Sequence, residues 1–363
     1  MSNPIKLGVV GLGRAGRGMH FSEIKEKTDK FQVAACCDII RERVDQTIER
    51  FGCKGYDSID DLIADPDVEI VDIATRTNDH FSHAVKALKA GKDVLLEKPV
   101  AMSYEETKEL FSLANKPGKP ILFVRQNRRF EKAFNNVLDL VNSGKLGTVF
   151  EINVVQFGYQ RRDDWQTLSE FGGGQILNWG PHIIDHSLRL LGSEVKEQFG
   201  DRLHSAAGGD CEDHFSIHFI GENGRKVNMW ISGACALGGT RSYCAYGNRG
   251  AVECRDGKVK VKYIDPEQDL PFVVSSRETP AKGFGSTGTF AGGEEIRWIE
   301  EEYDLDIMNE DLTVIWDYIY DTYRNGAPYP IKDEEILQMM KAADELMTGT
   351  AVRDMTAKRD SIK

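Results

Sequence analysis

Between Ile5 and about residue 125 the chain alternates short, unbroken apolar runs with longer stretches of mixed character. The runs are IKLGVVG, FQVAACCD, VEIVDIAT, KDVLLEK and PILFVRQ. Runs this apolar suit parallel strands covered on both faces. The stretches between them have a helical period. In NDHFSHAVKALKAG, Phe81, Ala84, Val85 and Leu88 fall at i, i+3, i+4 and i+7, with Asn78 at the N-cap position and Gly91 just past the end. Ser103 and Glu106 have capping-box spacing. The alternation predicts an α/β unit, a doubly wound parallel sheet over residues 1–127.

From residue 128 the pattern changes. FEKAFNNVLDLVNSGKLG reads as one helix closed by a turn. VFEINVVQFGY, HFSIHFIG, KVNMWISGAC and GAVECRDGKVKVKY then alternate in character. They predict an open, mostly antiparallel sheet with one covered face, so residues 128–363 form a second, α+β domain. Asp265 to about Glu302 reads as a long irregular loop, rich in glycine at KGFGSTGTFAGG, and such a loop is functional, an assembly element or mobile. DEEILQMMKAADELMTGT is an amphipathic helix.

Composition narrows the function classes. The 363 residues carry 46 Lys+Arg against 58 Asp+Glu, a net charge of −12, which argues against a nucleic-acid surface. No apolar window approaches the ~18 residues of a membrane span, and the N-terminus lacks a signal-peptide pattern. The expectation is a soluble, cytoplasmic protein. Seven cysteines, an odd number with no CxxC pair, read as reduced buried thiols.

The first candidate chemistry is GVVGLGRAG. Gly11, Gly13 and Gly16 fit GxGxxG directly after a strand and before a helical stretch, with Leu12, Arg14 and Ala15 between and beside them. In this context the pattern binds a dinucleotide: one glycine turns the chain, one admits the pyrophosphate, and one lets helix and strand pack. The second strand ends at Asp38, an acid placed to accept ribose hydroxyls and repel a 2′-phosphate. That favours NAD over NADP, with Arg41 and Arg43 nearby as the opposing signal. Thr75, Arg76, Thr77, Asn78 and His80 cluster after the third run, at the edge where the binding crevice opens.

Glu97 and Lys98 end the fourth run at the same edge and are expected to point into the crevice beside the nicotinamide. A lysine there bonds a substrate hydroxyl and stabilises developing alkoxide charge. In GPHIIDHSLRLLG, Gly180 suits the N-cap and Pro181 the first helical position, and His182, Asp185, His186 and Arg189 share one face. His182 is placed to take the hydroxyl proton. His182 and His186 also have metal-ligand spacing, but Ile183 stands where HExxH needs Glu, and Asp210, Asp213 or His214 would have to supply a third ligand. The expectation is no metal.

These motifs, in this order, resemble the glucose–fructose oxidoreductase, inositol dehydrogenase and MocA-type family. The resemblance rests on GVVGLGRAG, Asp38, ATRTNDH, EKP at Glu97–Pro99, GGG at Gly172–Gly174 and GPHIIDHSLRLLG. It implies an N-terminal Rossmann domain, a C-terminal domain on an open sheet that also mediates oligomerisation, and a nicotinamide cofactor acting on sugars or polyols. By resemblance, Lys98 orients the hydroxyl and His182 is the general base. Many inositol dehydrogenase-like members carry aspartate four residues before the histidine; here Asn178 stands there, so Asn178 and Asp185 are assigned to position the substrate or the histidine. The NWGPH version points to glycoside and sugar oxidation at C3. In GYQRRDDWQ, Tyr159 is placed against substrate, Arg162 against the pyrophosphate, and Trp165 as a stacking surface, with Arg161 in the same loop. Gln126 is placed near the nicotinamide carboxamide and Asn127 near the substrate.

The sequence thus predicts an NAD-dependent dehydrogenase of a sugar, glycoside or cyclitol. Two rivals stand beside it: an enzyme that recycles a tightly held NAD to cleave a glycoside or swap redox partners, and a non-catalytic binding protein on the same fold.

Overall fold

The computed structural model describes residues 3–238, 241–270 and 295–356. Its first sheet contains β1 (Ile5–Val10), β2 (Phe31–Cys37), β3 (Lys54–Tyr56), β4 (Ile70–Ile73), β5 (Asp93–Leu96) and β6 (Leu122–Val124). All pairs are parallel, in the order β3-β2-β1-β4-β5-β6. The five apolar runs are β1, β2, β4, β5 and β6. The short edge strand β3 has too few residues to show a period.

The strand order reverses between β1 and β4, and the crevice lies beyond their carboxyl ends. The ladder holds that edge in register past the strand ends. Gly11 N–H donates to the Cys37 carbonyl at 2.9 Å, Ala74 N–H to Val10 at 2.8 Å, Glu97 N–H to Ile73 at 3.0 Å and Arg125 N–H to Leu96 at 2.9 Å. Residues far apart in the chain are therefore fixed side by side.

The second sheet has nine strands: β7 (Val149–Phe157), β8 (Val195–His204), β9 (His214–Gly221), β10 (Lys226–Ser232), β11 (Arg241–Gly247), β12 (Gly250–Arg255), β13 (Lys258–Ile264), β14 (Trp298–Asp304) and β15 (Val352–Asp354). Its order is β14-β13-β12-β11-β7-β10-β9-β8-β15. It is mixed: β7 with β10, and β8 with β15, run parallel. The alternation is plain in β9, whose Phe215, Ile217 and Phe219 are buried under the helices Lys132–Asn142, Gly180–Leu191 and Asp333–Gly349. On the opposite face Phe199 stacks on His218, and His218 meets Trp230 edge-on.

Several expectations change. The irregular segment expected to reach Glu302 is already strand from Trp298, and residues 271–294 of it, including KGFGSTGTFAGG, lie outside the described residues. Arg76, not Asn78, holds the N-cap position, because its extended backbone starts the helix at Thr77; the Asn78 amide turns to Asp79 at 3.1 Å. Trp179 rather than Gly180 precedes the Gly180–Leu191 helix, which continues from the short helix Gln175–Asn178 through a helical Trp179. Ser103 does cap its helix, accepting from Glu106 N–H. Among the described residues no helix is long and apolar enough to cross a membrane.

The helix Val314–Asn325, from the far end of the chain, packs on the first sheet rather than the second. Ile315, Trp316 and Ile319 join Ile5, Phe31 and Val33 in one buried cluster, and the Trp316 indole meets Phe31 edge-on at 5.1 Å. Truncating this indole leaves a cavity in that core. Trp316→Ala should cost about 3–5 kcal/mol in chemical unfolding, with Trp316→Phe costing clearly less; a loss under about 1 kcal/mol for the alanine variant would show that the helix does not anchor the sheet.

Candidate active site

The glycine loop fits a pyrophosphate. Gly11 has φ +92°, and a Cβ there would lie 2.6 Å from the Ala74 carbonyl oxygen. A Cβ on Gly16 would lie 2.2 Å from the Gly11 carbonyl oxygen, so the helix could not approach the strand. A Cβ on Gly13 meets nothing closer than Arg43 at 4.0 Å, so its outer face is open. Leu12 is buried and its N–H donates to Asp38 Oδ2 at 2.6 Å. Arg14 and Ala15 open the helical segment Arg14–His20, whose first turn carries no acid to compete with an anion.

Asp38 does more than await a ribose. It accepts from Leu12 and, at 2.8 Å, from Ile40 N–H, which ties the loop after β1 to the end of β2. The two arginines near it differ. Arg41 is spent on Asp45 and Asp57, whereas Arg43 lies 3.5 Å from Asp38 and beside Gly13.

Lys98 leaves the end of β5 and donates from Nζ to the Asn178 carbonyl at 3.0 Å. This contact joins the two sheets' domains at the carboxyl edge of the first sheet. Burial lowers the Lys98 ammonium to about 8, with Glu97 opposing and Arg128, Arg14 and Arg125 adding to the fall. His182 is buried and its Nδ1 has no hydrogen-bond partner. Burial first, then Lys98 and Arg128, push its pKa well below the ordinary value, so the ring is neutral and can accept a proton. Gln126, also buried, donates to the Pro181 carbonyl and leaves its own Oε1 unpartnered. Asn127 is buried beside it, at the start of the turn Asn127–Phe130. Lys98, Asn178, His182, Gln126 and Asn127 are thereby brought to one place.

A cavity of about 440 Å³ adjoins them, within the roughly 300–1,000 Å³ range of small-molecule sites. Trp179 lines it and meets the His182 ring at 6.0 Å. Arg128 and Arg241 lie over the indole at 4.5 and 5.2 Å, and Glu131 pairs with both. Gln175 adds an unpartnered buried Oε1, and Gln156, Gln160 and Glu310 complete a wall of donors and acceptors. The sequence reading missed Trp179, Arg128, Gln175 and Arg241. Trp179 and Arg128 adjoin Asn178 and Asn127 in the chain, so proximity to the motifs was the available signal; Arg241, on β11, offered none.

Other assigned residues fall elsewhere. Glu97 does not face the crevice: it is buried against His20, Arg125 and the Lys98 backbone N–H. Asp185 does not orient His182, because Arg129 takes both of its carboxylate oxygens at 2.6 Å. His186 cannot share a metal with His182, since its ring nitrogens meet the Tyr243 hydroxyl at 3.0 Å and the Arg128 carbonyl at 2.9 Å and its face lies on Phe134. His80 is a core residue bridging the Pro99 and Thr75 carbonyls at 2.7 and 3.3 Å, with burial lowering its pKa. The Thr75 hydroxyl meets His83 instead. Arg76 lies over Phe171 at 4.7 Å, bracing the GGG segment, and Arg162 folds back onto Asp164 and Gln166. Trp165 is half-buried and absent from the cavity wall, and Tyr159 is exposed between the two wall residues Gly158 and Gln160.

Residues 5–126 match the family described as "Oxidoreductase family, NAD-binding Rossmann fold", and residues 134–253 match the "GFO/IDH/MocA C-terminal domain". The chain belongs to this family. As a member it is an NAD(P)-dependent oxidoreductase. It is 30% identical to an uncharacterised oxidoreductase of Schizosaccharomyces pombe, over 93% of this chain and 95% of that one. It is 23% identical to the scyllo-inositol 2-dehydrogenase (NADP(+)) IolW of Bacillus subtilis, over 95% and 94%. An NAD-binding protein from Listeria innocua has the same fold, with a TM-score of 0.79, 24% identity, and 96% and 97% of the two chains covered.

The buried histidines of this site give stability opposite pH slopes. His182 and His186, the latter lowered to about 4 by burial, make stability fall as pH drops below about 6.5. His20 is raised to about 9, so its contribution is complete below about 6.5 and is lost as pH rises toward 9. Lys98, depressed to about 8, acts in the opposite sense to His20 only above that pH. Thermal unfolding midpoints should therefore peak near pH 6.5 and decline toward pH 8; a midpoint that rises across that interval would contradict the charge assigned to His20.

Proposed function

We propose that this oxidoreductase is an NAD-dependent dehydrogenase that oxidises a ring hydroxyl of a sugar, of a glycoside (C3 of a glucoside being one such position) or of a cyclitol. The observation that carries the reading is the meeting of a cationic lysine and a neutral, unpartnered histidine at the carboxyl edge of the first sheet. When bound, the nicotinamide supplies the hydride acceptor. Lys98 donates to the hydroxyl oxygen and stabilises it as charge develops. His182 takes the hydroxyl proton while the ring C–H bond gives up its hydrogen with the electron pair. The Asn178 main-chain carbonyl holds Lys98 beside the segment that opens the His182 helix. A wall that mixes hydrogen-bond donors and acceptors beside a tryptophan suits a polyhydroxylated ring better than a purely apolar ligand. Assembly through the open face that bears Phe199, His218 and Trp230 belongs to the same reading.

Absorbance of reduced nicotinamide, followed over a panel of inositols, free sugars and O- and C-glucosides, tests this. One substrate class should turn over, and Lys98→Ala and His182→Ala should each reduce kcat by about 10²–10⁴-fold. Wild-type rates retained in either variant would remove that residue from the chemistry. No turnover, with nicotinamide already bound to the purified protein, would favour a closed redox cycle.

Asp38 is the determinant of dinucleotide choice in this reading, with Arg43 as its partner. Asp38→Ser should raise KM for NAD about tenfold, near 1.4 kcal/mol, and lower that for NADP as Arg43 is freed for a 2′-phosphate. An unchanged NAD to NADP ratio would show that the choice is made elsewhere.

A further inference from the structure

Glu97 stands immediately before Lys98 and is buried. Its Oε1 accepts from His20 Nε2 at 2.9 Å and from Arg125 at 2.7 Å, and its Oε2 accepts the Lys98 backbone N–H at 3.0 Å. On the far side, His20 Nδ1 lies 2.8 Å from Asp72 Oδ2. Arg125 continues to Glu23, which also receives the Trp316 indole N–H at 2.7 Å. An ionised carboxylate only accepts hydrogen bonds, so a ring with a carboxylate at each nitrogen donates from both and is an imidazolium. The groups packed around His20 are Asp72 from β4, Glu97 from the end of β5, Arg125 after β6, and the edge of Trp316.

The charges do not cancel within this cluster. Glu23, Asp72 and Glu97 contribute three negative charges, and His20 and Arg125 two positive ones. The excess negative charge is balanced by the Lys98 ammonium. From other elements Lys98 faces Arg14, Arg128 and the neutral His182, and both arginines oppose its charge. A purely structural cluster would be served as well by apolar residues of the same volume. Within this cluster, the Glu97 carboxylate favours the charged form of the Lys98 ammonium next to it in the chain.

We propose that Glu97, clamped by His20 and Arg125, is a positioning residue for Lys98: it fixes the backbone from which the side chain leaves β5 and keeps the ammonium charged against Arg14 and Arg128. The consequence for catalysis rests on the reading of Lys98 as the group that holds the substrate oxygen.

The test needs no substrate. Competitive acetylation with acetic anhydride, read by mass spectrometry on the Lys98 peptide from about pH 6 to 11, gives the titration midpoint of that amine. Nitrogen-15 NMR of the histidines gives the protonation of His20. In the wild type, Lys98 should titrate near pH 8, well below the surface lysines, and His20 should stay doubly protonated through neutral pH. In Glu97→Gln the Lys98 midpoint should fall by a further pH unit or more, about tenfold or greater in proton affinity. Trp316→Phe, which alters a neighbour of His20 and Glu23 but removes no hydrogen bond to Glu97, should leave it unmoved. A folded Glu97→Gln with an unchanged Lys98 midpoint overturns the proposal. If that variant does not fold, the wild type decides: His20 neutral at pH 7 overturns it, because the clamp on Glu97 would then lack one of its donors. These readings are independent of turnover. A confirmed cluster in a protein that oxidises no sugar or cyclitol would therefore sink the reaction, not the cluster.

Discussion

The constraint on which the structure depends is the shared carboxyl edge of the parallel sheet. Four backbone hydrogen bonds carry the ladder past the ends of β1, β4, β5 and β6. They place the glycine loop, Asp38, Lys98 and Gln126 in fixed relation. The second domain is tied to that edge by two polar contacts, the Lys98 ammonium on the Asn178 carbonyl and Gln126 on the Pro181 carbonyl. Each is a side chain of the first domain reaching the segment that opens the His182 helix. A dehydrogenase needs its acceptor and its base within one ångström-scale arrangement. Here the arrangement is built by main-chain register and two side-chain bonds.

Burial then divides charged residues of similar appearance into two sets. Lys98 and His182 are desolvated with little compensation, so both pKa values fall, and each retains an unused valence at the site. Glu97, Asp185, His80 and His186 are desolvated too, but their polar atoms are committed to neighbours. The first set can act on a ligand; the second holds the scaffold. Motif membership does not separate the sets. Glu97 and Lys98 are adjacent in the chain, and so nearly are His182 and Asp185.

This explains how much the sequence could tell. The doubly wound sheet, the capped helix after Ser103 and the covered face of the second sheet were legible because hydrophobic period reports which face is buried. The glycine loop was legible because turn geometry and close approach demand glycine at fixed spacing. The short strand β3 and the docking of Trp316 onto a sheet three hundred residues earlier were not legible, since neither leaves a local pattern. Nor could spacing show that Arg129 reaches Asp185. A helix face says which side chains point the same way, and their partners come from other elements. For the same reason Trp165, the tryptophan in a conspicuous charged loop, drew the assignment, whereas the tryptophan lining the cavity is Trp179.

The central claim of the proposal is that a substrate carbon gives its hydride to nicotinamide while Lys98 holds the hydroxyl oxygen and His182 takes its proton. A crystal structure of the chain with NAD bound tests it most directly. The account predicts the pyrophosphate over Gly13 and the start of the Arg14–His20 segment, with the nicotinamide ring against Lys98 and Gln126 and one face open toward His182. A nicotinamide ring seated away from both Lys98 and His182 would contradict it.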